Sequence, residues 1–188
     1  RDLAVQGVRI TDLVLRDSQI QRMSFGECEF GTFLVDGCTI DIELLGGDIG
    51  SVETRRCSGS LSMVSLATEL DVVDSELRLR FADVSGDVTV RGSGVSFAGD
   101  TSRVAVSAED SGLAYRGAVE VHVALARSWL DLSGVVGGAS GSVELTESMC
   151  WAKNGSLCDL EYSVRDAIID VGPSSVASWE QRTQAGRT

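Results

Sequence analysis

Gln21-Arg22-Met23-Ser24-Phe25-Gly26-Glu27-Cys28-Glu29-Phe30-Gly31-Thr32-Phe33-Leu34-Val35-Asp36-Gly37-Cys38-Thr39-Ile40 divides into four blocks of five, each ending on a large apolar residue. Counted outward from this stretch, the last position of every block from Arg1 reads Val5, Ile10, Leu15, Ile20, Phe25, Phe30, Val35, Ile40 and Leu45. The middle position reads Leu3, Val8, Leu13, Ser18, Met23, Cys28, Phe33 and Cys38, and breaks at Glu43. Strand side chains repeat every second residue, so the two residues of a block point to one side. A turn is expected after each block, because an unbroken strand would lose the phase. Four blocks make a coil of about 20 residues, and stacked coils enclose the apolar columns.

The composition agrees with a wound sheet. One proline stands against 21 glycines, and Lys153 is the single lysine. Stacked coils need their backbone N–H groups for pairing, which proline would remove. An apolar content of 43% is enough for a core, and the length fits one domain with a small appendage. No apolar run is long enough for a membrane helix. The net charge of −12 repels phosphates and argues against direct nucleic-acid binding. The start lacks both Met and a basic-then-apolar leader, so an excerpt of a larger protein is expected, with a cytoplasmic setting favoured.

Three zones follow. Residues 1–45 carry the five-residue ladder, and the beat slips by one at Asp41-Ile42-Glu43-Leu44-Leu45. Residues 46–145 hold looser alternating runs, such as Leu77-Arg78-Leu79-Arg80-Phe81 and Val119-Glu120-Val121-His122-Val123, separated by Gly, Asp and Ser turns. They continue a parallel β-helix; the alternative is a β-sandwich beside a short solenoid. Residues 146–188 read as a small C-terminal appendage. A hairpin turns at Asn154-Gly155, residues 159–171 fit a helix or a strand, and a helix forms around Val176 and Trp179. The fold class is all-β.

Blocks such as Gly26-Glu27-Cys28-Glu29-Phe30 and Asp36-Gly37-Cys38-Thr39-Ile40 resemble the unit of pentapeptide-repeat proteins, over about a quarter of the chain. The resemblance implies a right-handed quadrilateral β-helix without common catalytic residues. It also implies two kinds of role: interaction modules attached to larger proteins, and acidic duplex mimics that bind type II topoisomerases.

The candidate chemistry is sparse. Alternation puts Glu120 and His122 on one face, where a Glu–His pair could move protons, yet no nucleophile pattern accompanies them. Glu43 falls in an inward slot unless the slip turns it to solvent. Asp110-Ser111-Gly112 and Gly46-Gly47-Asp48 read as turns rather than as a protease loop or a calcium roll. Asn154-Gly155-Ser156 matches a glycosylation acceptor but reads as the hairpin turn. Cys150 and Cys158 could form a disulfide if their geometry allows. With one histidine and no Cys-x-x-Cys pair, neither a metal nor another cofactor is expected.

The expected function is therefore a non-catalytic scaffold or protein-recognition module, whose partner is another protein or a neighbouring domain. Two alternatives stand beside it: an acidic DNA mimic that inhibits a DNA-binding enzyme, and a carbohydrate-active β-helix hydrolase.

Overall fold

The computed structural model describes residues 2–64, 67–117, 119–135, 139–152, 157–171 and 180–182. Strand makes up 80%, helix is absent among the described residues, and one parallel sheet winds into a β-solenoid of about eight turns. The first coil is β1 (Asp2–Gln6) and β2 (Arg9–Arg16). Two long strands follow, β3 (Arg22–Asp36) and β4 (Thr39–Arg55), each spanning a whole coil. Shorter strands come next: β5 (Ser58–Val64), β6 (Ala67–Val73), β7 (Glu76–Ala82), β8 (Ser85–Arg91), β9 (Gly94–Gly99), β10 (Val104–Glu109) and β11 (Gly112–Arg116). The series ends with β12 (Val119–Ala126), β13 (Trp129–Gly134), β14 (Ala139–Thr146), β15 (Met149–Ala152), β16 (Leu157–Arg165), β17 (Ile168–Val171) and β18 (Glu180–Arg182). From β5 onward, odd-numbered strands stack in one column and even-numbered strands in the other, every pair parallel.

The five-residue beat is the inward beat of the first coils. Phe25, Cys28, Phe30, Phe33, Val35, Cys38 and Ile40 are all buried, with steps of three and two between them. The turns differ from the expectation in kind. Left-handed backbone occurs at Gly7, Asp17, Glu27 and Gly37, ten residues apart, so sharp corners close every second block. Between them the chain bends gently, for instance where Gly31 and Thr32 both lie outside the buried pair Phe30 and Phe33. At Ile40 and Ile42, both buried, the step is two, and the coil shortens. Met23 lies beside Ile42, Ser58 beside Glu76 and Glu76 beside Gly94, giving coils of 19, 18 and 18 residues.

One corner repeats as a chemical ladder. A left-handed residue (Arg56, Asp74, Gly92, Asp110, Arg127, Glu147) precedes a buried small residue (Cys57, Ser75, Ser93, Ser111, Ser128, Ser148). Each serine hydroxyl donates to the carbonyl two residues back, as Ser93 does to Arg91 at 2.7 Å. It also accepts a backbone N–H from the coil before: Ser75 N–H to Ser93 Oγ at 3.0 Å, Ser93 N–H to Ser111 Oγ at 3.2 Å. Aspartate recurs at the corner because its short polar side chain tolerates the left-handed region better than most. Replacing Ser93 by alanine leaves the buried Ser75 N–H without its acceptor. Urea unfolding should show a loss of about 1–3 kcal/mol; an unchanged midpoint would mean that the ladder contributes nothing.

The sandwich alternative for residues 46–145 does not occur, because zone two continues the same columns. The described residues beyond 145 continue them too. β15 pairs with β13 and β17, and β16 with β14 and β18, all parallel. The antiparallel hairpin expected there is thus replaced by two rungs of the solenoid. Of the helix and strand readings of residues 159–171, the strand holds. Asn154-Gly155-Ser156 and the segment around Val176 and Trp179 lie outside the described residues.

Candidate functional site

His122 projects from β12 on the outer face, with Val121 and Val123 buried on either side. Its Nδ1 lies 3.1 Å from Ser142 Oγ and its Nε2 lies 3.3 Å from Glu120 Oε1. Ser142 is its register neighbour on β14, 20 residues on. Sequence reasoning paired Glu120 with His122 but missed Ser142; only the coil length could have found it. The connectivity is that of a hydroxyl, an imidazole and a carboxylate in a row, the order used in acyl transfer. The setting is not. The imidazole and carboxylate are 38% and 45% exposed. β12 is paired along both edges, with β10 and β14, so its N–H groups are engaged in the ladder rather than aimed at a developing oxyanion.

Glu43 points outward between Ile42 and Leu44, both fully buried, so the shortened coil moves it off the inward column. Cys150 is a free thiol, fully enclosed, with its pKa pushed up to about 12 by burial and then by nearby Asp131. It is therefore protonated and inert at neutral pH. The side chain of Cys158 lies outside the described residues. Each residue of Asp110-Ser111-Gly112 has a structural task. Asp110 makes the left-handed corner and pairs with Arg127 at 2.8 Å, which holds its carboxyl below the usual range. Ser111 is a rung of the ladder, and Gly112 lies beneath the Trp129 indole. Among the described residues no group of three or more His, Cys, Asp or Glu could hold a metal ion.

Two other surfaces stand out. The first is the open end of the core. Leu3 and Val8, which share rows with Met23 and Cys28, are 50% and 36% exposed, and Val5, Ile10, Leu13, Leu15 and Ile20 are only partly buried. One coil further on, Cys28, Phe30 and Phe33 are closed from solvent. The second is a trench across the odd-numbered column, open and about 600 Å³ in volume. Its floor is the small outward side of β9 and β11, comprising Gly94, Ser96, Gly112 and Ala114. Trp129 on β13 bounds one end; Glu76 and Arg78 on β7 lie across the trench, the Glu76 carboxylate over Gly94, and Gly59, Ser60 and Ile40 line it beyond β7. Sequence reasoning missed it, because its residues lie about 18 apart and converge only once the coil length is known.

No family model, curated protein or solved structure matches the chain.

Proposed function

We propose that the chain is a non-catalytic recognition or scaffold module, and that its partner is a neighbouring domain or another protein docked on the first coil. The observation that carries this reading is the open core end. Inward apolar side chains that are sealed in later coils stay half-exposed at Leu3 and Val8, beside the strand edges of β1 and β2. Exposed apolar surface next to an unpaired strand edge favours an occupant that supplies another β rung. The inward columns spaced by fives and the corners spaced by ten support reading the first coils as a degenerate form of the pentapeptide-repeat unit.

The duplex-mimic alternative has weaker support. Mimicry needs unbroken rows of carboxylate, whereas one outer row runs Arg16, Asp36, Arg55, Val73, Arg91, Glu109. Pairs such as Arg56–Asp36 (2.6 Å) and Arg127–Asp110 neutralise part of the acid surface.

Sedimentation velocity tests the docking end. The wild-type chain is expected to associate as its concentration rises, because the end captures a second copy in place of its normal occupant. Leu3→Lys with Val8→Lys should stay monomeric, with unchanged circular dichroism. If both proteins are monomeric throughout, the end is no contact surface and the reading fails.

A further inference from the structure

We propose that the outward row Trp129, Met149 and Ile168 is a docking strip for a basic amphipathic helix of a protein partner. The row lies on the odd-numbered column of the last described coils, far along the chain from the first coil. It stands independently of the reading given for that end.

The exposed apolar residues are not scattered. Among the described residues Leu3 and Val8 belong to the open end, and Val14 and Leu45 lie in separate rows. Trp129, Met149 and Ile168 are direct register neighbours on three successive strands, β13, β15 and β17. They are 42%, 38% and 60% exposed, although they point away from a core that is already closed beneath them at Leu130 and Cys150. The Trp129 indole lies over Gly112, where a Cβ would collide with it, so the strip reaches one coil further. Trp151 touches the same indole, with centroids 5.8 Å apart and planes tilted by 59°, and widens the strip on one side. A contiguous apolar row of this kind marks a contact surface, and methionine suits one because its side chain adapts to what it meets.

The backbone of the strip restricts the occupant. β13 and β15 are paired along both edges, so their N–H and C=O groups are engaged within the sheet. An extended peptide laid on them would gain no backbone partner there. A helix brings its backbone bonds with it. Its size fits as well. The row crosses the strands, and its two rung steps span about 10 Å. Residues i and i+7 on one helix face are also about 10 Å apart, with i+3 or i+4 between them.

The charge of the occupant follows from what borders the row. Glu147 and Asp166 hold left-handed corners two residues before Met149 and Ile168. Asp131 and Asp170 stand on the other side, two residues after Trp129 and Ile168, and flank Trp151 in its row. None of the four forms an ion pair among the described residues. Arg127 at the same corner is held by Glu109 and Asp110, and Arg165 belongs to β16 of the even-numbered column. Carboxylates are frequent on a chain of net charge −12; here they border an apolar strip on both sides. A helix with a leucine-type face flanked by Lys or Arg complements that order. A second copy laid face to face would set carboxylate against carboxylate, and an anionic membrane surface is repelled in the same way.

Fluorescence anisotropy with a labelled probe decides the matter. The probe is a peptide of about 14 residues made only of Leu and Lys, in two isomers: one with helical period, one strictly alternating. The helical isomer should bind the full chain with Kd below about 100 μM. Met149→Thr with Ile168→Thr, which keeps residues suited to exposed strand positions, should weaken it about tenfold or more while circular dichroism stays unchanged. Asp131→Asn with Asp170→Asn should weaken it several-fold and flatten its dependence on salt. Leu3→Thr with Val8→Thr should leave it unaltered, which separates this strip from the open end. No binding at about 1 mM overturns the proposal, as does binding that is undiminished in Met149→Thr with Ile168→Thr. A loss confined to Leu3→Thr with Val8→Thr would place the peptide on the first coil and overturn it too. Equal affinity for the alternating isomer overturns the helical assignment.

Discussion

Phe97→Ala should destabilise the protein by about 3–5 kcal/mol, the range for removing a large aromatic ring from a closed core. Phe97 is fully buried on β9, between Phe81 one coil before and Tyr115 one coil after. Its ring stacks on Tyr115 with centroids 4.8 Å apart and planes at 16°, and meets Phe81 edgewise at 5.9 Å and 62°. The stack lies at mid-chain, in a coil held only by its two neighbours. The cavity left by alanine cannot be filled from the side, because each neighbouring ring is fixed by its own strand pairing. Guanidinium unfolding reads the loss. A change below about 1 kcal/mol would show that the coils slide to fill the space.

Gly86→Ala should cost about 2–4 kcal/mol although it adds a single methyl group. Gly86, the second residue of β8, has φ of 140°, a region that side chains avoid, and it donates its N–H to the Arg103 carbonyl at 3.1 Å. A Cβ there would collide with the carbonyl oxygen of Thr68 in the coil before. That oxygen belongs to the strand ladder and cannot rotate away as a side chain would. Gly117→Ala is the control, since Gly117 also has positive φ, at 97°, but its Cβ would meet nothing. Thermal melting should separate the two clearly. Similar losses would assign the cost to backbone angle alone rather than to the clash between coils.

The solenoid was legible because core and sequence share one rhythm between Met23 and Ile40. There, as in the coil before, corners fall ten residues apart with a gentle bend between them, so inward residues recur by fives. The rhythm fades after Ile42 for a geometric reason: β7 runs straight through Leu77, Leu79 and Phe81 without a bend, and the repeat becomes 18. No local pattern announces a period of 18 that drifts to 17 between Gly112 and Trp129 and to 20 between Trp129 and Met149. The serine ladder was hidden for a related reason. Ser75, Ser93, Ser111, Ser128 and Ser148 look like ordinary turn residues, and only stacking turns their hydroxyls inward. The antiparallel pairing expected on either side of Asn154-Gly155 shows the converse. A strong local signal for reversal predicted antiparallel pairing, but the flanking strands β15 and β16 find parallel partners in neighbouring coils. The outward turn of Glu43 was readable from the slip itself. The trench was not, since Glu76, Gly94, Gly112 and Trp129 become neighbours only through the winding.

Because every rung rests only on the rungs above and below it, the chain carries a phase as a genetic message carries a frame. Excising residues 76–93, one full period, would bring Ser58 and Gly94 together, two positions that already share a row. Excising a few residues fewer would rotate every downstream side chain, turning valines outward and arginines into the axis of the tube. Such a molecule tolerates gain or loss of whole turns and is broken by fractions of one, so its length can change in quantised steps while the spacing within each face is preserved.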